Sequence, residues 1–154
     1  MKRKAAILGV VVLLAALILV VKYVGDKRAA ATTPDPPLNL ASAFATLKES
    51  GKPSVVVFSY DADCCETTKA FFNEYNSKAK AFLEKQKSKS NTLFVNTGIL
   101  DEEQASEFLR IANDTGIAEI PCILFLDADG KPVQTITGPF DATAVTRAAE
   151  GLVR

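Results

Sequence analysis

The sequence predicts an α/β domain whose mixed sheet is covered by helices on both sides. Two short runs, residues 54–60 and 122–126, are β-branched and apolar almost throughout, as strands buried on both faces are. Helix-period stretches with start and stop residues are interleaved with them. The resulting order is helix, strand, helix, strand, helix, strand, strand, helix.

Taken in order, Asn39 is placed to cap a helix with Leu40, Phe44 and Leu47 on its apolar face and Ala43 beside them. Gly51 stops it, and Pro53 confirms the stop. Residues 54–60 then form a central strand. Asp63 with Glu66 three residues on is a capping-box pattern, so a helix begins there, burying Phe71, Tyr75, Ala79 and Phe82. Lys78, Lys80, Lys85, Lys87 and Lys89 crowd its far end, a solvated face that the helix dipole favours. Residues 92–96 make a short strand. Asp101 with Gln104 opens a helix with Ala105, Phe108, Leu109 and Ala112 inside, and Gly116 ends it. Pro121 heads the run 122–126, where it removes no interior ladder donor and where a cis bond would fix a sharp loop. The turn at 127–130 leads into 133–137, an alternating hairpin partner. Asp141 caps a last helix with Val145, Ala149 and Leu152 on one face.

The 154 residues suffice for one ordinary domain with an appendage. The 18 Lys+Arg balance 18 Asp+Glu, so no global field favours nucleic acid, and none is expected as a partner. The absence of histidine excludes a Ser-His-Asp triad, His-ligated zinc and imidazole acid–base catalysis. Carboxylates, lysines and three cysteines are left to carry chemistry.

The amino terminus divides into a basic stretch (1–4), an apolar span (5–24) and an Ala/Pro-rich linker (25–38) ahead of the domain (39–154). The span approaches the ~20 residues of a membrane helix, with Lys22 and Tyr23 at headgroup level. A cleaved signal peptide is the competing reading, but the small residues Ala29, Ala30 and Ala31 lie far past the end of its expected apolar core. The leading cluster Lys2, Arg3, Lys4 favours a cytoplasmic amino terminus. The domain is then expected on the periplasmic or outer side of the cytoplasmic membrane, where disulfides persist. Pro34, Pro36 and Pro37 make the linker a semi-rigid spacer.

Two separated motifs carry a family resemblance. Gly116-Ile117-Ala118-Glu119-Ile120-Pro121 resembles the Gly-Ile-x-x-Ile-Pro segment of the thioredoxin family, whose proline is cis and lies against the redox site. Val56-Val57-Phe58, followed by a cysteine-bearing helix start, resembles that family's central strand and active-site helix. The hairpin Phe125-Leu126-Asp127-Ala128-Asp129-Gly130-Lys131 is similar to that of membrane-tethered, extracytoplasmic members. The resemblance covers 39–154 and implies a thioredoxin-like fold, thiol–disulfide exchange with protein thiols or disulfides, a membrane or soluble redox partner, and no bound cofactor. Ile120 and Pro121 are implied to present a strand-like edge to an extended substrate.

The family's Trp-Cys-x-x-Cys-Lys is here Asp63-Cys64-Cys65-Glu66-Thr67-Thr68-Lys69, with neither a tryptophan nor a CxxC. Aligning on the lysine puts Cys65 at the attacking position and Thr68, as hydroxyl donor, where the second cysteine would be; aligning on the strand favours Cys64. Val57 stands where dithiol reductases often carry a buried acid. A thiol in the first turn of a helix meets the positive end of the dipole and free N–H groups, which stabilise thiolate, while Asp61, Asp63 and Glu66 oppose it. Cys122 reads either as a buried small hydrophobe or as a thiol resolving what Cys64 or Cys65 begins. A redox-inactive binding module and a soft-metal, Cu(I)-type carrier using all three cysteines are the alternatives.

Overall fold

The computed structural model describes residues 38–152. The expected anchor (5–24) and nearly all of the linker therefore lie outside the described residues. Among the described residues, no helix is long and apolar enough to cross a membrane.

Helix α1 (Leu40–Glu49) starts at Asn39, whose side-chain oxygen accepts the Ser42 N–H at 2.8 Å, and it buries Leu40, Phe44 and Leu47. Strand β1 (Ser54–Ser59) is buried along its whole length. Helix α2 (Glu66–Gln86) is followed by β2 (Asn91–Asn96) and by a 3₁₀ turn (Thr97–Ile99) that the apolar pattern does not signal. Helix α3 (Glu102–Thr115) is capped by Asp101 and closed by Gly116, which takes a left-handed φ of 71° that a β-carbon would strain. Strands β3 (Cys122–Leu126) and β4 (Pro132–Thr137) form the hairpin, and α4 (Ala142–Gly151) starts at Asp141, which accepts two backbone N–H groups.

The sheet order is β2-β1-β3-β4, with β1 parallel to β2 and antiparallel to β3. Side chains alternate across a strand, so the register sorts the core into two halves. Val55 and Val57, opposite Phe125 and Ile123, face α2 and α4, where Tyr75, Ala79, Phe82, Leu83, Val145 and Ala149 complete the cluster. Phe58 points the other way. Its ring lies 6.0 Å from Phe44 of α1 and 5.1 Å from Phe108 of α3. Burying a ring of this kind contributes roughly 1.5–3 kcal/mol.

Three expectations need correction. Helix α2 begins at Glu66 with Cys65 as its cap, so Asp63 caps nothing; the chain first turns to bury Ala62 before the helix can start. Phe71 does not join the core. It is 38 % exposed, since the buried residues of α2 begin only at Tyr75, and it packs edge-on against Phe72, with ring centroids 5.2 Å apart. Leu109 is 61 % exposed, since α3 turns Phe108, Ile111 and Ala112 inward and Leu109 falls beside that stripe. Half of the second capping pattern also finds a different use: Asp101 accepts the Gln104 N–H at 2.8 Å, but the Gln104 side-chain oxygen accepts the Leu40 N–H instead, fastening α3 to the start of α1.

Candidate functional site

The site is built where β1 runs into α2. Cys65 is the helix cap, in extended backbone geometry, and its carbonyl accepts the first helical hydrogen bond from Lys69 N–H at 2.9 Å. Cys65 Sγ lies 3.0 Å from Thr68 Oγ1, one turn on. The Thr68 hydroxyl holds the Cys65 thiol below the ordinary 9.0; the Thr68 amide adds to this, followed by Cys64 and the Thr67 amide. No amide closes a complete cap bond onto the sulfur, so these groups act as nearby dipoles at the positive end of the helix. The carboxylates of Asp61, Asp63 and Glu66, expected to oppose the thiolate, are not among the groups that shift this thiol. Cys64 is exposed beside Cys65, and all three cysteines are free thiols.

Cys122 is neither a disulfide partner of these two nor among the groups that shift the Cys65 thiol. It sits opposite Phe58 in the sheet, so it shares the Phe58 face, turned away from the face on which α2 packs. It is fully buried, and that burial pushes its thiol up to about 12. A thiol so placed supplies no thiolate at neutral pH while the domain is folded. The three-cysteine metal reading loses its third ligand for the same reason; among the described residues no three metal-ligating side chains converge.

The Ile120–Pro121 peptide is cis, Ile120 is 37 % exposed, and Pro121 is buried with its carbonyl accepting the Gly138 N–H at 3.1 Å. Val57, at the position compared with a buried acid, is fully buried against the α2 side of the core.

Sequence reasoning missed a polar group under the thiol loop. Asp61 accepts from Asn76 Nδ2 at 2.8 Å through one carboxylate oxygen and from Asn96 Nδ2 at 2.6 Å through the other. Asn76 also accepts the Ser59 hydroxyl and reaches the Tyr60 carbonyl at 3.4 Å. The Thr97 hydroxyl donates to the Ser59 carbonyl at 3.0 Å. A signal for this existed: Asn76 is a polar residue inside the buried stripe of α2, and a buried amide needs partners.

Residues 40–150 match the family described as Thioredoxin-like domain. The chain belongs to this family. The thioredoxin-like domain also resembles solved structures at the level of the fold. Thioredoxin O2 from Arabidopsis thaliana, in its oxidized state, matches with a TM-score of 0.50 at 19 % identity, over 74 % of this chain and 86 % of that one. Thioredoxin O1 from the same plant gives 0.50 at 23 % identity, over 74 % and 89 %. The pneumococcal exposed lipoprotein thioredoxin from Streptococcus pneumoniae gives 0.50 at 16 % identity, over 71 % and 90 %. No curated protein matches. The thioredoxin-like fold accords with thiol–disulfide exchange, and with protein thiols or disulfides as its substrates, in general terms.

Proposed function

We propose that this chain is a membrane-tethered, extracytoplasmic protein that exchanges thiols and disulfides with protein substrates through Cys65. One observation carries the reading: Cys65 stands at the N-cap position of α2 with its sulfur 3.0 Å from the Thr68 hydroxyl, which holds the thiol below its ordinary value. The Cys65 thiolate attacks one sulfur of a substrate disulfide, forming a new S–S bond as the other sulfur departs as thiolate and takes up a proton. A second thiolate, from the substrate or a separate redox partner, then attacks the mixed disulfide. Cys65 leaves as thiolate in either case: a substrate thiolate re-forms the disulfide in a new pairing with no net electron transfer, whereas a partner's thiolate ends in a disulfide with the substrate sulfur, and the partner supplies the electron pair. Cys64 is the only neighbouring thiol on this side of the sheet that offers an internal route. With the Pro121 carbonyl already occupied, the edge offered to an extended substrate is that of Ile120.

Thr68→Ala tests the activation. The Cys65 pKa, measured by pH-dependent alkylation in a Cys64→Ser background, rises toward 9.0, and alkylation at pH 7 slows by roughly three- to tenfold, since one pKa unit is a tenfold change in thiolate below the pKa. A wild-type Cys65 that titrates at 9.0 or above sinks the exchange reading. It would favour a binding module that uses the same edge without turnover, a reading supported by Thr68 standing where a second cysteine would be.

The basic residues 1–4 and the apolar span 5–24 support the tether and its orientation. A membrane-impermeant maleimide is expected to label Cys64 and Cys65 in intact cells. Labelling that appears only after lysis would place the domain on the other side.

A further inference from the structure

We propose that Asn76 and the segment Asn96-Thr97-Gly98 are positioning residues for the Cys65 thiol, acting by latching the root of its loop, Ser59-Tyr60-Asp61; this rests on the exchange reading above. Only Ala62, Asp63 and Cys64 separate that root from the helix cap. The Asp61–Asn76 bond joins the root to the body of α2, closing the intervening chain, with Cys65 inside it, into a ring. A second hold comes from β2. Asn96 uses both ends of its amide: its oxygen accepts the Gly98 N–H at 3.0 Å and its nitrogen donates to Asp61. The Thr97 hydroxyl holds the Ser59 carbonyl.

Gly98 lets the Tyr60 ring seat directly on the backbone. A β-carbon there would come within 2.7 Å of Tyr60 Cε2. Each latch group has a defined partner, so the root has one geometry, and the helix cap inherits it. The Sγ–Oγ1 approach that activates Cys65 needs the cap residue held in register with the first turn, and the latch fixes that register from both sides.

The sign of the effect separates positioning from charge. Removing a carboxylate near a thiol lowers the thiol pKa on electrostatic grounds alone, whereas losing the latch releases the cap and raises it. The test is the Cys65 pKa by pH-dependent alkylation in full-length Asp61→Ala and Thr97→Val proteins, both in a Cys64→Ser background. Both variants are expected to show a raised Cys65 pKa and, at pH 7, alkylation slowed by about three- to tenfold, with circular dichroism unchanged. Thr97→Val keeps the side-chain shape and every charge, so it decides alone if Asp61→Ala fails to fold. A Cys65 pKa that stays put in the folded variants, or falls in Asp61→Ala without rising in Thr97→Val, overturns the proposal. The readout is independent of turnover: a wild-type protein that forms no mixed disulfide defeats the exchange reading, while a raised pKa in the variants still upholds the latch.

Discussion

In a Cys64→Ser background, Cys65→Ser is expected to abolish mixed-disulfide formation. In a single-turnover reaction with glutathione disulfide, the wild-type thiolate displaces one glutathione thiolate and gains the other as an adduct, visible by intact mass and mapped to Cys65. A serine hydroxyl is not ionised at neutral pH and is a poor nucleophile toward sulfur, so the rate falls by at least about a hundredfold, to background. Cys122→Ala is the matched control. Its sulfur is buried on the far side of the sheet with its thiol at about 12, so the rate stays within roughly twofold of wild type. Full adduct formation in the single variant Cys65→Ser, with Cys64 intact, would move the attack to Cys64, and an unreactive wild type would leave the binding module.

Phe58→Ala carries the largest expected loss of stability. The ring is fully buried between Phe44 and Phe108, in the one strand that touches both β2 and β3. Truncation removes its transfer free energy and leaves a cavity that two helices and a central strand cannot easily collapse, about 3–5 kcal/mol. Against the roughly 5–15 kcal/mol of a whole domain, the variant sits near its limit. Urea unfolding followed by circular dichroism measures this. A loss under about 1 kcal/mol would mean that the α1 and α3 layer is held together elsewhere.

The two layers were legible because periodicity and punctuation agree. Unbroken apolar runs mark β1 and β3, and Asn39, Asp101 and Asp141 cap helices where a short polar side chain precedes an amphipathic stretch. At α2 the same rule misled, because Asp63 has the right spacing to Glu66 but stands in a loop that must first bury Ala62. Leu109 failed differently: one residue beside a stripe differs from it by about 100° of rotation, and only the packing angle decides which side faces in. The latch was invisible for a third reason. Its partners lie 15 to 38 residues apart, and hydrogen bonds between distant polar side chains leave no period in a sequence. In the candidate site, Cys65 and Thr68 were paired only through the resemblance, by alignment on Lys69, and the structure sets their side chains 3.0 Å apart. The isolation of Cys122 required the register, since alternation fixes a side chain's face only once its partner strand is known.

The opposite settings of Cys65 and Cys122 give the domain a gauge of its own integrity. When the chain opens, Cys65 loses the surroundings that sharpen it and grows sluggish, while Cys122 sheds its burial and becomes an ordinary thiol. Oxidative damage to the intact molecule is therefore expected first on the outer sulfurs of Cys64 and Cys65, with modification of the inner one expected only in molecules that have already come apart.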